Sequence, residues 1–213
     1  MLSLNLPNHS APVELEQTLT TALIFDPEKK SATFETIYDQ MEAEQYFTII
    51  DASLPSIHHN LNVATYIKHD FQQLLQNLKR YEQLSIQLTK IMSPSNLPAL
   101  MEEMEALENH ISKYDGWDLD QNIENWLTFL NGPQTDNMIK SLTPSSLYKS
   151  NLTKSILNHP TLLCLDQPID YLNEDLLLDT IEVLKQYETK VILTFSNGNL
   201  PKKLADQWIE ISS

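Results

Sequence analysis

An α/β fold, with a largely parallel sheet and an inserted antiparallel helical hairpin, is what this 213-residue sequence predicts. Three observations carry that expectation. Short apolar runs bounded by turn residues alternate with stretches of helical periodicity, which implies a sheet covered by helices on both faces. The run from Leu162 to Asp166 is apolar until its last residue, the pattern of a strand buried on both sides. Between Phe71 and Tyr114, two apolar stripes at helical spacing interrupt the alternation.

Each element follows from its own stretch. "LSLNL" and "VELEQTL" alternate apolar and polar residues and read as short strands. "TALIF" is a buried strand that runs into the turn-like "DPEKKSAT". "FETIYDQM" then places Phe34, Ile37 and Met41 on one helical face. "YFTIIDASLP" is a further strand, closed by Pro55, and "NVATYIKHDFQQLL" opens a helix. Phe71, Leu74, Leu78, Tyr81, Leu84, Leu88 and Ile91 form one stripe; Leu97, Leu100, Met104, Leu107, Ile111 and Tyr114 form the next. "MSPSNLP" breaks them apart, so the pair predicts a hairpin with arms of about 30 Å at 1.5 Å per residue. "LDQNIENWLTFLN" is a short helix with Ile123, Trp126, Leu127 and Leu130 inward, and "SSLYKSNLTKSILNH" is another, stopped by Pro160. "TLLCLD", "EDLLLDTIEVLKQY" and "KVILTF" give strand, helix, strand; "SNGNLPKKLADQ" turns into a short helix, and "WIEIS" is a last strand.

Composition narrows function. With 41% hydrophobic and 20% charged residues the chain is globular, and no apolar run approaches the roughly 20 residues of a membrane helix. The N-terminus lacks a basic region followed by a long apolar stretch, so no secretory signal is read and a cytoplasmic location is expected. A net charge of -15 argues against a surface built to neutralise phosphates, so direct DNA binding is not expected. Asn137 to Leu165 is free of Asp and Glu and carries Lys140, Lys149 and Lys154, a weak basic stretch that reads as a solvated helix face. The single cysteine, Cys164, excludes an internal disulfide and reads as a core residue. His58-His59 and His69 lack a third ligand at sensible spacing, so no metal site is assigned. The only glycines are Gly116, Gly132 and Gly198. A loop that wraps phosphate in consecutive backbone N–H groups needs glycine, and the first 115 residues contain none.

"SLTPSSLYKSNLTKSILNHPTLLCLDQPIDYLN" and "KYDGWDLDQNIENWLTFLNGP" resemble the nucleotide-binding domain of ATP-binding cassette proteins, specifically the ABC-F family of translation factors and ribosome-protection proteins. The resemblance is strongest from Tyr114 to Leu172 and implies a P-loop NTPase-like domain with an arm-like hairpin. It divides the chain into a phosphate-loop half at 1–66, the hairpin at 67–116, and a half carrying the signature and magnesium aspartate at 117–213.

Against the family's motifs, the positions that carry chemistry are changed. In the register of the phosphate loop GxxxxGK[S/T], Asp26 and Ser31 replace the glycines, Ala32 replaces the lysine, and Thr33 keeps the hydroxyl type. Asp26 would also set a carboxylate against phosphate in a partly desolvated cleft. A register shifted by two makes Lys30-Ser31 the Lys-Ser pair, in a shorter loop. The signature LSGGE reads Leu142, Thr143, Pro144, Ser145, Ser146, and Pro144 has no N–H to give. No glutamine occurs between Tyr46 and Phe71, where the family has one after a strand. Asp166 matches the magnesium aspartate. Gln167 stands at the catalytic carboxylate, Asn173 at the aspartate of the following loop, and Phe195 at the switch histidine.

These losses predict a pseudo-ATPase: an inactive cassette, with no cofactor, that binds or regulates a protein partner. The partner would be another ABC-F protein, a complete ABC ATPase or a second copy of itself. The alternative is a ribosome-associated translation or antibiotic-resistance factor with residual binding of ATP and magnesium, acting through its hairpin; a third reading is a residual ATPase or ATP sensor using Lys30, Thr33 and Asp166. Charge opposes a ribosomal role, because Lys68 to Asp115 holds five basic residues against seven acidic ones.

Overall fold

The computed structural model describes residues 2–6, 11–15, 20–25, 28, 30–41, 47–53, 58–89, 97–196 and 201–211. Among the described residues the strands are β1 Leu2–Leu4, β2 Val13–Leu15, β3 Thr20–Phe25, β4 Phe47–Ile50, β5 Leu162–Asp166, β6 Lys190–Phe195 and β7 Gln207–Ile211. The helices are α1 Lys30–Asp39, α2 Val63–Lys68, α3 Gln72–Leu88, α4 Leu97–Lys113, α5 Leu119–Phe129, α6 Pro144–Ile156 and α7 Glu174–Gln186. β1 and β2 form an antiparallel pair, and the other five strands form a sheet in the order β4-β5-β6-β3-β7, parallel throughout.

Both faces of that sheet are buried, and side chains along each strand alternate between two cores. Leu163 and Leu165 of β5 join Val191, Leu193 and Phe195 of β6 beneath α6 and α7. Leu162, Cys164 and Ile192 face the other way, onto Leu4, Val13, Leu15 and Ile37 of the β1–β2 pair and α1. Every residue of β5 and β6 is buried, as the near-continuous apolar runs require of parallel strands covered twice.

A third core is helical. Val63, Ile67, Phe71, Leu74 and Ile111 pack with Leu119, Ile123, Leu127 and Leu147, so one cluster joins the base of the hairpin to α2, α5 and α6. The hairpin itself is antiparallel: Arg80 makes a bidentate contact to Glu103 at 2.7 and 3.1 Å, and Asn77 meets His110 at 2.9 Å. Gly116 closes its base, where a Cβ would come within 2.6 Å of Leu74 Cδ1.

Local details differ from the sequence expectation. α1 begins at Lys30 rather than at Phe34, because the turn-like stretch already supplies its first helical residues. Phe71 lies in a 3-10 turn between α2 and α3, at φ -102 and ψ 24, and so is not the start of one long helix. α3 and α4 have 17 residues each, which at 1.5 Å per residue makes arms of about 25 Å rather than 30 Å. Ile91, Pro94, Pro55, Gly198 and most of "MSPSNLP" lie outside the described residues.

Candidate functional site

The sequence-predicted residues gather where β5 and β6 end, on the carboxyl edge of the sheet, the edge at which open α/β sheets hold ligands. Asp166 closes β5 and is buried. Its Oδ1 accepts a 2.9 Å hydrogen bond from the Thr194 hydroxyl of β6, and its Oδ2 is ion-paired with Lys30 Nζ. Lys30 is the first residue of α1 and reaches across from the β3 side, its ammonium 5.9 Å from the Phe34 ring centroid. Of the two phosphate-loop registers, the shifted one therefore has the lysine that meets the strand carboxylate. In the other, Ala32 is exposed and Thr33 is fully buried within α1. Ser31 is exposed, and Asp26 lies outside the described residues.

Gln167 takes the left-handed conformation at φ 47 and donates its N–H to the Thr194 carbonyl at 3.0 Å. This turns the chain sharply into a 3-10 turn at Pro168–Asp170. Asn173 then caps α7, its side-chain oxygen accepting from Leu176 N–H at 2.9 Å, the ordinary task of asparagine at that position. Phe195 is buried and stacks on Trp208, with ring centroids 6.0 Å apart and an 18° interplanar angle.

The signature positions are likewise occupied by the chain itself. Thr143 caps α6 by accepting from Ser146 N–H at 3.1 Å, and Pro144 fills the first helical position, where a missing N–H costs nothing. Ser145 donates its hydroxyl to the Tyr171 carbonyl at 2.8 Å, tying α6 to the turn after β5.

Two residues that sequence reasoning passed over complete the arrangement. Asn151 of α6 donates to the carbonyls of Asp51 and Ser53 at 2.9 and 3.1 Å and accepts from the Tyr66 hydroxyl at 2.7 Å. It locks the segment after β4, where the resemblance would place a glutamine. The usable signal was an asparagine in a helix interior, where its intrinsic propensity is poor. Tyr148 stacks on Tyr171 at 4.5 Å, and its buried hydroxyl has no hydrogen-bond partner among the described residues. Burial pushes its phenol well above the ordinary range, so it stays protonated. Cys164 is also fully buried and its thiol is pushed up by the same cause, which makes it inert.

Away from this edge, His58 and His69 lie in ring contact at 4.7 Å. Burial, and after it the neighbouring His69, lower the His58 pKa. Among the described residues no group of three His, Cys, Asp or Glu is placed to hold a metal.

Comparison with known proteins agrees with the fold. No family model matches the chain. It is 26% identical over 121 residues, 57% of its length, to the energy-dependent translational throttle protein EttA of Mycobacterium tuberculosis. It is 21% identical over 150 residues, 70% of its length, to the ATP-binding protein Uup of Haemophilus influenzae. It corresponds to only 21% and 22% of those relatives' own lengths. Among solved structures it resembles an ATP-binding cassette in a dimeric post-hydrolysis state bound to ADP and Pi. That likeness has a TM-score of 0.56 at 8% identity and covers 99% of this chain and 90% of the other. With a parallel sheet ending at Asp166 and a helical hairpin joined at its base to α5, the chain has the fold of an ATP-binding cassette domain and is similar in sequence to EttA and Uup.

Proposed function

We propose that this cassette domain does not hydrolyse ATP and acts as a protein-binding or regulatory module. The observation that carries the reading is the internal pairing of Asp166. In a hydrolysing site that carboxylate holds a metal ion, and here Lys30 and Thr194 take both of its oxygens. The other stations support the same reading. Gln167 has no carboxylate to accept a proton from water, Phe195 is packed into the core, and Pro144 and Thr143 serve a helix start. Phosphoryl transfer depends almost wholly on positioning and charge stabilisation, and the residues present do not fit a magnesium-bound nucleotide. The partner in this reading is another cassette, since the solved likeness is dimeric.

A second reading rests on Lys30. A lysine at the start of α1 facing Asp166 is also the pair that residual ATP binding would use, and one relative is named a translational throttle protein. Thermal denaturation with millimolar ATP and magnesium separates the two. A ligand at a hundredfold excess over its Kd adds about 2.7 kcal/mol of stability. The expected result is an unchanged melting temperature and turnover no higher than that of Asp166→Ala. A rise abolished by Lys30→Ala, together with co-sedimentation with ribosomes, would establish the second reading instead.

A further inference from the structure

The opposite edge of the sheet carries a site that the nucleotide resemblance does not account for. His159 lies just before β5 and Tyr187 just before β6, at the amino ends of strands whose carboxyl ends carry Asp166 and Phe195. There the ends of α4, α6 and α7 meet the start of α5 around a cavity of about 230 Å³, lined by Tyr114, Asp115, Asp118, Trp126, His159 and Tyr187 among others. A second cavity of the same size adjoins it, with Phe129 and Val183 in its lining. Trp126 and Tyr187 line both, their ring centroids 6.3 Å apart, and Phe129 sets its edge on Trp126 at 5.5 Å. Tyr187 is 55% exposed and Phe129 36%, so the aromatic ridge stands open to solvent.

We propose that this double pocket binds an arginine side chain of a protein partner, with an apolar neighbour of that arginine in the Phe129–Val183 cavity. Charge selects the ligand. The first cavity is lined by two carboxylates and by no lysine or arginine. The one ionisable base in the lining is His159, whose Nε2 lies 3.8 Å from Asp115 Oδ2. Asp118 has no ion-pair partner among the described residues. An anion would be repelled here, and a purely apolar ligand would cover Asp118 without pairing it. The rings select further. Lys113 already places its ammonium 5.4 Å from the Tyr114 centroid, which leaves the exposed Tyr187, with the His159 ring 6.5 Å from it and the half-buried Trp126 beside it, as the aromatic surface open to a ligand. A flat guanidinium stacks on such faces and presents a fork of N–H groups to carboxylates, which a lysine ammonium does not. The site is independent of whether the cassette binds ATP, because it lies a full strand length from Asp166.

The test uses the intact chain and follows the indole N–H resonance of Trp126 by NMR, assigned by comparison with Trp126→Phe. The probe is N-acetyl-Leu-Arg-Leu amide; its citrulline counterpart has the same shape without the charge. The arginine peptide is expected to shift Trp126 saturably in the low-millimolar range, with Trp117 and Trp208 unchanged. The double variant Asp115→Asn, Asp118→Asn should weaken binding about tenfold or more, and Asp118→Asn alone reports the same effect if the double variant folds poorly. Equal binding of the citrulline peptide, an unaffected variant, or no saturation overturns the proposal. Binding no tighter than that of N-acetylarginine amide overturns the second cavity's role. Self-association in sedimentation that the Asp→Asn changes abolish assigns the site to a second copy instead of a separate partner.

Discussion

The two edges of the central sheet differ in how they hold their polar side chains, although the buried Tyr148 hydroxyl of the carboxyl-edge arrangement also lacks a partner among the described residues. At the carboxyl edge Asp166 is paired with Lys30 and Thr194, Ser145 with the Tyr171 carbonyl, and Asn173 with the start of α7. At the amino edge Asp118 has no ion pair among the described residues, and Tyr187 and Phe129 face solvent. A buried polar group left unpaired costs about 1–3 kcal/mol, and at the buried Asp166 the chain's own atoms supply the partners. Asp118 is exposed, so it bears no such cost and stays open to an outside cation.

That contrast can be broken most sharply at Phe195. Phe195→Ala removes a fully buried ring and should cost about 3–5 kcal/mol in urea denaturation. Phe195→His should also destabilise, and turnover measured beside it should stay at background. Active hydrolysis in that variant would mean that the carboxyl edge still works as a site. Next is the ion pair. Lys30→Met leaves the Asp166 carboxylate buried without a counter-charge, and because the Lys30 side chain is 37% exposed the loss is discounted to about 1–3 kcal/mol. Adding Asp166→Asn to that variant should recover much of it, since the Thr194 bond survives; a strictly additive double variant would show that the pair is not coupled.

Smaller effects test the same division. Thr143→Ala removes the cap of α6 and should cost about 1 kcal/mol in thermal denaturation, the value for a structural cap and not for a ligand clamp. His58 supplies a pH test. Its folded pKa is lowered from 6.5 by burial and by His69 and Lys154, against an opposing pull from Asp70. The folded chain therefore holds fewer protons than the unfolded one just below that value. This stability is complete above pH 6.5 and is lost as pH falls toward the lowered folded value, and His58→Gln should flatten that part of the stability curve. Smallest of all, Asp118→Asn and Tyr187→Ala should each change stability by no more than about 0.5 kcal/mol. A larger loss would make the amino edge part of the fold as well.

Much of the fold was legible because burial writes a period into the chain. The continuous apolar run of β5 announced a strand covered on both faces, and the stripes from Phe71 to Ile91 and from Leu97 to Tyr114 announced α3 and α4, α3 itself spanning Gln72–Leu88. Helix ends were harder to read. α5 and α7 each close with a left-handed residue, Asn131 at φ 51 and Glu188 at φ 61. The N–H groups of the residues that follow reach back to Leu127 and Leu184, a task usually given to glycine. Glutamate carries no such signal; the end of α7 was read from where the apolar period of "EDLLLDTIEVLKQY" stops, within a residue of Gln186.

By itself the sequence determined the order of strands and helices, the apolar faces and the residue types at each motif position, because these are local choices of period, branching and charge. Which atoms meet was decided only by tertiary structure. Lys30 and Asp166 are 136 positions apart, and nothing local to either stretch indicates that α1 starts close enough for the ammonium to reach the end of β5. The amino-edge pocket is the stronger case. Its lining comes from four helix ends scattered between Tyr114 and Tyr187, and each of them reads in sequence as an ordinary terminus. Only the packing of α5, α6 and α7 over the sheet brings two carboxylates and the open aromatic rings into one cavity.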